Sequence, residues 1–343
     1  MKSDIYVDFE YGKLKEVIIG IPYEVYGDPS APCLRENFKY LSKAELEKVF
    51  SRAGKSTKEI FEKKPRNKYE LMEEENEKLI NIFKKFDIKI YRPKLLPKEL
   101  IKEKYGEDVL KSGYIQQYSR DPFVVIGDNI IELSTSTPVR RAEIFSYKEI
   151  FRHRIAHSQG VKWISMPKVP SLEIDKNKDP MLEGGDIFVL GDTILVGTVQ
   201  GNAKRSNEQG YIWLKNYLGN KYKVIQVHIK EGVLHLDCIL SVPRKGLVIL
   251  CSEALINGIP SYFNDWDIID ISLEESKGLC ANGLPIDEEN YILSYNDKYK
   301  NERIKLELES RGINVFMVYF ENHNEDCGSI RCSCNPLFRK VEI

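Results

Sequence analysis

The sequence lacks any long apolar run and any excess of charge of one sign. No stretch of its 343 residues approaches the ~18 consecutive apolar residues of a membrane helix. Residues 1–10 contain no apolar segment typical of a signal peptide. We therefore expect a cytoplasmic protein with no membrane partner. The net charge of -1 gives no indication of a nucleic-acid partner, and 42% hydrophobic residues exclude wholesale disorder.

Cysteine is present, but in a pattern that does not indicate disulfides. The chain has seven cysteines, an odd number, and no leader-like segment, so we expect reduced thiols. Cys33, Cys251 and Cys280 stand alone and are expected to be small buried hydrophobic residues. The three cysteines between 327 and 334 form a cluster that is considered below.

A β-hairpin pattern recurs along the chain. Residues 121–133 and 186–197 each contain an apolar run, a Gly-Asp turn and a second apolar run. Looser copies begin at Asp237 and Asn282. Helix-like patterns, each followed by a strand-like one, occur at 70–85, 140–156, 206–218 and 301–311. The unit strand–strand–helix–strand is thus present about five times.

These repeats predict one α/β domain over residues 1–343. No Ser/Gly-rich or charged linker divides the chain. Separate βα domains are an alternative, but a closed ring lets neighbouring repeats cover one another's open faces. Residues 23–68 are mostly polar, with scattered Pro and Gly, and are predicted to be an insertion with short helices. Function tends to be found where the loops at strand ends converge.

Acidic residues stand at the starts of three repeats. If the repeats surround an axis, these residues face one central space, where converging carboxylates need a cation or a metal. A guanidinium group suits them because it binds carboxylates in bidentate fashion. The alternative is that they are turn residues that cap backbone N–H groups. The motifs are Arg120-Asp121-Pro122, Glu183-Gly-Gly-Asp186 and His235-Leu-Asp237.

His235 is a candidate general acid or base. Leu234 and Leu236 flank it, which predicts a strand with His235 and Asp237 on one face. A histidine with an acid two positions away at the start of a repeat fits proton transfer. The alternative is a histidine that is simply packed or capped.

Cys332 is a candidate nucleophile in the stretch 324–337. A thiol beside Arg331 and near a histidine is expected to have a lowered pKa, which favours the thiolate. An inert thiol is one alternative. The other is a metal site made of His323, Cys327, Cys332 and Cys334, although their spacing does not match the usual zinc patterns.

Taken in order, these motifs resemble those of guanidino-group-modifying enzymes. This superfamily contains amidinotransferases, arginine deiminases, agmatine deiminases and dimethylarginine hydrolases. The resemblance implies a five-bladed α/β propeller (pentein) of pseudo-symmetric ββαβ units, in agreement with the repeat count. It is carried by Arg120-Asp-Pro-Phe123, Glu183-Gly-Gly-Asp186, His235-Leu-Asp237 and the terminal Gly328-Ser-Ile-Arg-Cys332-Ser-Cys-Asn-Pro-Leu337.

The resemblance implies a role for each matching residue. Cys332 looks like the nucleophile that attacks the guanidinium carbon and carries a covalent amidino group. His235 looks like the general acid/base, and Glu183 like the carboxylate that orients it. Asp121 and Asp237 look like the clamp on the guanidinium nitrogens. Asp186 is a further substrate-binding candidate in this acidic set, and neither a metal nor an organic cofactor is implied.

Three arginines are candidates for holding a substrate carboxylate. They are Arg140 and Arg141, in the stretch after the first hairpin, and Arg205, at a helix start. For each of them the alternative is a solvated or helix-capping arginine.

The resemblance is closest to arginine:amine amidinotransferases, particularly over residues 120–150. We predict transfer of the amidino group of L-arginine to an amine such as glycine, lysine or a metabolite amine, with release of ornithine. The Glu183-Gly-Gly-Asp186 form is usual in deiminases, so a hydrolase such as an arginine deiminase is the alternative. A catalytically silent binding protein of the same architecture is a third hypothesis. A homodimer is a further expectation, since these enzymes are often dimeric.

Overall fold

The computed structural model describes residues 5–31, 42–61, 67–167, 177–201 and 205–341. The strands are β1 (Tyr6–Val7), β2 (Lys13–Ile19), β3 (Glu24–Val25), β4 (Lys89–Tyr91), β5 (Tyr114–Ile115), β6 (Phe123–Ile126), β7 (Asn129–Glu132), β8 (Lys162–Ser165), β9 (Ile187–Leu190), β10 (Thr193–Val199), β11 (Lys223–Ile229), β12 (Leu240–Arg244), β13 (Leu247–Leu250), β14 (Asp267–Asp270), β15 (Leu284–Pro285), β16 (Asn290–Tyr295), β17 (Asn314–Tyr319) and β18 (Cys334–Lys340).

The α-helices are α1 (Lys43–Arg52), α2 (Thr57–Phe61), α3 (Lys68–Lys85), α4 (Lys98–Tyr105), α5 (Glu107–Leu110), α6 (Lys148–Ile155), α7 (Glu208–Leu218), α8 (Leu273–Ser276), α9 (Glu302–Ser310), α10 (Glu321–Asn324) and α11 (Ile330–Ser333). Short 3₁₀ segments span Pro138–Ser146, Gly184–Asp186, Gly219–Lys221, Leu236–Cys238, Ser252–Ala254 and Ser261–Phe263.

Five small sheets repeat one arrangement. In four of them an antiparallel hairpin is followed by a strand that runs parallel to the second hairpin strand: β6-β7-β8, β9-β10-β11, β12-β13-β14 and β15-β16-β17. The fifth sheet, β1-β18-β2-β4, combines strands from both ends of the chain. This is the five-bladed α/β propeller of ββαβ units, as predicted. A further antiparallel pair, β3 and β5, lies outside the five blades.

The hairpins form because their turns and their strands are locally specified. Gly127 and Gly191 occupy the Gly-Asp turns with positive φ angles of 55° and 72°, a conformation that glycine adopts without steric cost. All residues of β6, β7, β9 and β10 are buried. Sheets buried in this way read as continuous apolar runs rather than as alternating ones.

The long helix α3 shows how helices are fixed against the blades. Asn67 caps its N-terminus by accepting from the N–H of Glu70, whose side chain accepts from the N–H of Asn67 in return. Its buried face includes Leu79 and Phe83, which belong to one hydrophobic cluster with residues of β2 and β18 and of the sheet β15-β16-β17. The predicted helices at 70–85, 206–218 and 301–311 are confirmed as α3, α7 and α9.

Two local predictions are wrong. The first half of the predicted helix at 140–156 is instead a 3₁₀ segment. Side chains three residues apart eclipse in a 3₁₀ helix, and Arg140 Nε accordingly lies 3.0 Å from Glu143 Oε1. His235 is not in a strand but precedes the 3₁₀ turn Leu236–Cys238, because the N–H of Leu236 is bound by Asp186 Oδ1 at 2.8 Å. His235 and Asp237 therefore do not share a strand face.

The cysteine prediction is confirmed where the structure describes it. Cys251 and Cys280 are fully buried, and the six described cysteines are all free. Cys33 lies outside the described residues. In the predicted insertion at 23–68, the described part contains β3 and the short helices α1 and α2, while residues 32–41 and 62–66 lie outside it. None of the helices in the described ranges has the length and apolar character of a membrane-spanning segment.

Candidate active site

A cavity of about 340 Å³ brings together residues from distant parts of the chain. Five of the residues predicted from sequence line it: Asp121, Arg140, Arg205, His235 and Cys332. The other four predicted residues, Glu183, Asp186, Asp237 and Arg141, are buried and are not among its lining residues. The remaining wall comes mainly from residues 24–27, 112–118 and 326–328.

His235 and Glu183 form a buried ion pair. His235 Nε2 lies 2.8 Å from Glu183 Oε2, and both side chains are almost completely buried. Burial lowers the pKa of His235, but the carboxylates of Asp121, Asp186 and Glu183 outweigh it and bring the pKa to about 10. The same pairing holds the pKa of Glu183 well below its usual range, against its own burial. The imidazole is therefore charged at neutral pH and can act as a proton donor.

Backbone and hydroxyl groups fix the carboxylate that holds His235. Glu183 Oε1 accepts from both the N–H and the hydroxyl of Ser136, each at 2.9 Å. Glu183 Oε2 is thereby directed to His235. Nδ1 of His235 is buried and has no hydrogen-bond partner among the described residues. That nitrogen is the one left for a reacting group in the cavity.

The two glycines between Glu183 and Asp186 are required by close contacts. A Cβ on Gly185 would lie 2.8 Å from Nδ1 of His235. A Cβ on Gly184 would lie 2.0 Å from the carbonyl oxygen of Arg120. The Glu-Gly-Gly-Asp motif therefore allows the histidine and the Arg120 backbone to approach this segment closely.

Cys332 lies in the short helix α11 and is 5% exposed at the cavity wall. Its N–H donates to Asn282 Oδ1 at 3.1 Å, and its carbonyl accepts from the N–H of Arg120 at 3.1 Å. Its Sγ lies 3.7 Å from Asp237 Oδ2. The thiol is thus held rigidly beside a carboxylate.

The predicted lowering of the Cys332 thiol pKa is wrong for this structure. Burial raises the pKa of Cys332 well above its ordinary value, and the carboxylates of Asp237 and Asp121 raise it further. Arg331 does not offset this, because its guanidinium is bound by Glu10, Asp237 and the carbonyl of Ile187. The raised pKa keeps the thiol neutral at pH 7 in this environment.

Arg331 belongs to a buried polar network behind the site. Its Nη1 lies 3.0 Å from Asp237 Oδ2, its Nη2 lies 3.1 Å from Glu10 Oε1, and its guanidinium stacks on Phe188. Arg339 contributes two further contacts, to the carbonyls of Glu10 and Gly12. A buried charge that has lost its partner is destabilising, so this network is held together as a unit.

Asp121 and Arg140 form an ion pair in the cavity wall. Arg140 Nη1 lies 3.1 Å from Asp121 Oδ2, while its Nε and Nη2 contact Glu143 at 3.0 and 3.1 Å. The other oxygen of Asp121 accepts from the N–H of Gly185 at 3.2 Å. The planar fork of Arg140 is thus bound by protein carboxylates and orients Asp121, and its contact with a substrate carboxylate stays a prediction.

Asp186 and Asp237 are placed differently from the prediction. Asp186 lies behind His235, where it holds the N–H of Leu236, and burial raises its pKa to about 7. Asp186 thus positions the backbone at Leu236, and its role in substrate binding stays a prediction. Asp237 contacts Cys332 Sγ, as a clamp residue would, but shares its Oδ2 with Arg331.

Arg205 fits the carboxylate prediction better than Arg141. Arg141 Nε donates to the carbonyl of Thr135 at 3.1 Å, and the residue is not among those that line the cavity. Its assignment to substrate binding stays a prediction. Arg205 lines the cavity and is only partly buried.

Three buried side chains of the site are close enough together to ligate a metal ion. Ligand atoms of Asp121, Glu183 and His235 lie within 4.8 Å of one another, a spacing that could hold an ion. Arg140 Nη1, however, already lies 3.1 Å from Asp121 and 3.9 Å from Glu183, so a cation of the protein occupies this position. Within the described ranges, His323 and the three cysteines of 327–334 form no such group, and His323 is bound to Glu75.

Several functional contacts had no signal in the sequence. Ser136, Glu10 and Glu24 occur in no recognisable motif, yet the first two position the site and the third lines the cavity. Asn282 begins a repeat, but the repeat did not predict its contact with Cys332. Asn335 has a partial signal because it stands in the terminal motif. Its Nδ2 donates to the carbonyls of Ser119, Arg120 and Phe123 and so joins that motif to the one containing Asp121.

Comparisons with known proteins agree on one superfamily of proteins. A family model described as arginine deiminase matches residues 34–267. The chain is 23% identical to the L-arginine:L-lysine amidinotransferase of Pseudomonas savastanoi pv. phaseolicola, over 97% of this chain and 94% of that protein. Its fold is similar to the inosamine-phosphate amidinotransferase of Streptomyces griseus, with a TM-score of 0.76, 19% identity, and coverage of 99% of this chain and 98% of that one. The fold is also similar to that of DDAH from Pseudomonas aeruginosa, with a TM-score of 0.62, 19% identity, and coverage of 94% of this chain and 99% of that one.

The propeller fold and its ordered motifs define the class as that of guanidino-group-modifying propellers. The chain belongs to the amidinotransferase/arginine deiminase superfamily.

Proposed function

We propose that this protein is an amidinotransferase that moves the amidino group of L-arginine to an amine through a covalent adduct on Cys332. The observation that carries the proposal is the cavity in which Cys332, His235 and Asp121 meet. Similarity to an amidinotransferase over 97% of the chain supports the transfer reaction.

Substrate binding would activate the nucleophile. The carboxylates of Asp121 and Asp237 raise the pKa of the Cys332 thiol. A guanidinium bound between them adds a positive charge next to Sγ, which favours the thiolate because opposite charges a few ångströms apart stabilise each other. The thiol proton is released as the cation enters. The nucleophile therefore forms only when its substrate is present.

The first half-reaction forms the adduct. The Cys332 thiolate attacks the guanidinium carbon while His235 donates a proton to the leaving nitrogen. The carbon–nitrogen bond breaks, the amidino group stays on sulfur as a thiouronium cation, and ornithine departs as a free amine. Glu183 keeps the imidazolium in position through the 2.8 Å contact.

The second half-reaction reverses these roles. The acceptor amine attacks the thiouronium carbon and gives a proton to the now neutral His235. The carbon–sulfur bond breaks, the thiolate of Cys332 is regenerated, and a new guanidinium compound is released. In this proposal every step uses groups of the chain and its substrates, with no metal or organic cofactor.

Hydrolysis of arginine through a different adduct on Cys332 is the second candidate. The Glu183-Gly-Gly-Asp186 motif and the match to the arginine deiminase family model favour it. In arginine deiminase chemistry His235 gives a proton to a terminal nitrogen of the guanidinium, so ammonia leaves and the adduct on Cys332 keeps the ornithine side chain. Water then attacks that adduct in place of an amine and releases citrulline.

Product analysis distinguishes the two reactions. L-arginine labelled in the guanidino carbon is incubated with the protein, with and without a panel of amines. Transfer predicts ornithine and a labelled guanidino compound that forms only when an amine is supplied. Labelled citrulline in the absence of any amine would contradict transfer and establish the hydrolase.

A further inference from the structure

Asn282 contacts the proposed nucleophile, yet the reaction described above gives its side chain no role. The residue is fully buried. Its Oδ1 accepts from the N–H of Cys332 at 3.1 Å, and its Nδ2 donates to the carbonyl of Asp237 at 3.1 Å. These two contacts fix the orientation of the amide, because an N–H needs an acceptor and a carbonyl needs a donor. The amide is therefore held in one orientation between Cys332 and Asp237.

Backbone contacts keep the segment that contains Cys332 against this amide. The carbonyl of Asn282 accepts from the N–H of Arg331 at 3.1 Å. On the other side of Arg331, the Ser329 carbonyl accepts from the N–H of Ser333 at 3.0 Å, and the Ser329 hydroxyl lies 2.7 Å from the hydroxyl of Ser294. The sulfur of Cys332 is thus placed by contacts on both sides of it.

Three residues that begin repeats hold the backbone of a later segment in the same way. Each uses one side-chain oxygen to accept from a backbone N–H: Asp121 from Gly185 at 3.2 Å, Asp186 from Leu236 at 2.8 Å, and Asn282 from Cys332 at 3.1 Å. A carboxylate is sufficient for this contact in the first two cases. An amide differs from it in offering N–H groups, which a carboxylate lacks. The backbone contact alone therefore does not require an amide at position 282.

The Cys332 thiol is the group that such an N–H donor would serve. Burial, and then the carboxylates of Asp237 and Asp121, raise the pKa of Cys332, whereas hydrogen bonds from the Ser329 backbone and the Asn282 side chain lower it. Nδ2 carries two hydrogens, so the contact with the Asp237 carbonyl uses only one of them. An aspartate at position 282 would offer no such hydrogen in its ionised form and would add a further negative charge beside the sulfur.

We propose that Asn282 is a further catalytic residue, whose amide donates to the sulfur of Cys332 together with the backbone N–H of Ser329 and stabilises the thiolate. The inference rests on the proposed function, which makes Cys332 the nucleophile. In the first half-reaction these donors stabilise the thiolate that remains when the thiol proton leaves. In the second they stabilise it again as the carbon–sulfur bond breaks. Donors that the fold has already oriented need no rearrangement at the moment of reaction.

Alkylation of Cys332 by iodoacetamide measures its thiolate without any need for turnover, because the thiolate is the reacting form. Peptide mapping by mass spectrometry distinguishes Cys332 from the other cysteines. Asn282→Asp keeps an oxygen for the Cys332 N–H, a contact that Asp121 and Asp186 already make elsewhere in the fold. We expect this variant to fold and its Cys332 to be alkylated about tenfold more slowly than in the wild-type protein at the same pH, as loss of a hydrogen bond to an ion predicts.

The direction of the change distinguishes a thiolate donor from a packing residue. If Asn282 only packed the site, its replacement would loosen Cys332, which is 5% exposed, and alkylation would become faster. Asn129→Ser is the control, because it removes a buried amide of β7 that donates to the carbonyl of Ile126 at 2.9 Å and is not among the residues that line the cavity. This variant should be alkylated at the wild-type rate.

Thermal unfolding would show whether each variant is folded. Unchanged or faster alkylation in folded Asn282→Asp would overturn the inference. Asn282→Ser, which also lacks the amide, is the second variant, and the same criterion applies to it if Asn282→Asp does not fold. Failure of both variants to fold would likewise overturn the inference, because Asn282 would then be a residue of the fold and not of the reaction.

A second measurement separates this inference from the proposed function. Formation of the amidino adduct on Cys332 from L-arginine would be followed in the same proteins. Slowed alkylation in Asn282→Asp, without any adduct in the wild-type protein, would overturn the transfer reaction and leave Asn282 as a thiolate donor. Alkylation and adduct formation at wild-type rates in Asn282→Asp would overturn the inference and leave the transfer reaction standing.

Discussion

Replacing Glu183 with glutamine should lower the pKa of His235 from about 10 to about 7. The variant removes one negative charge 2.8 Å from Nε2, while Asp121 and Asp186 remain. A unit charge at roughly 4 Å in a medium of effective dielectric constant about 20 is worth about 4 kcal/mol, which corresponds to about three pKa units. Glutamine is nearly isosteric, and its oxygen can still accept from Ser136.

The pKa of His235 can be measured directly by NMR. The chain contains only five histidines, so labelled imidazole resonances can be assigned by substituting one histidine at a time. We expect His235 to remain protonated up to about pH 10 in the wild-type protein and to titrate near neutral pH in Glu183→Gln. Rates of adduct formation should fall by about a hundredfold or more in the variant, since a positioned proton donor contributes that much.

The same pair should make stability depend on pH. The pKa of His235 is about 10 in the fold and about 6.5 in the unfolded chain. Its stabilising contribution is therefore complete below about pH 6.5 and is lost as the pH rises through about 10. Denaturant unfolding should show this decline in the wild-type protein and much less of it in Glu183→Gln. Identical His235 titrations and identical pH profiles in the two proteins would refute the ion pair.

Three further results are expected. Asp121→Asn should reduce the rate of adduct formation at least tenfold by weakening the guanidinium clamp; an unchanged rate in stopped assays would remove Asp121 from the site. Gly185→Ala should reduce the same rate at least tenfold, because its Cβ would meet the His235 ring at 2.8 Å, and wild-type activity in that variant would contradict the close packing. Treatment with a chelator should leave activity unchanged, because Arg140 stands where a metal would bind; loss of activity that Zn²⁺ or Mg²⁺ restores would contradict this.

The propeller could be predicted from the sequence because each repeat carries its own local signals. A buried apolar run, a Gly-Asp turn and a second run specify a hairpin without reference to the rest of the chain, and Gly127 and Gly191 confirm the turns. His235 was placed in a strand for the same local reason. The contact that bends its segment into a turn comes from Asp186, about fifty residues away, and local patterning does not contain it.

The site residues could be predicted where a sequence motif contains them. They could not be predicted where contacts between distant parts of the chain decide how a side chain is placed. His235 and Asp121 line one cavity, as the repeat symmetry indicated, and Cys332 of the terminal motif lines it with them. The direction of the Arg331 guanidinium was not predictable, because it depends on Glu10, which is more than 300 residues away in the chain. The thiol environment is therefore anionic instead of cationic. Glu24 lies in a segment that sequence analysis could describe only as an insertion.

The state of Cys332 after brief exposure to L-arginine tests the proposed reaction most directly. The protein would be quenched in acid within one turnover, digested, and mapped by mass spectrometry, with Cys332→Ala and a sample without arginine as controls. The proposal predicts an amidino group on the peptide that contains Cys332, its disappearance when an acceptor amine is added, and one ornithine released per adduct. An unmodified Cys332 during active turnover, or full activity in Cys332→Ala, would contradict it.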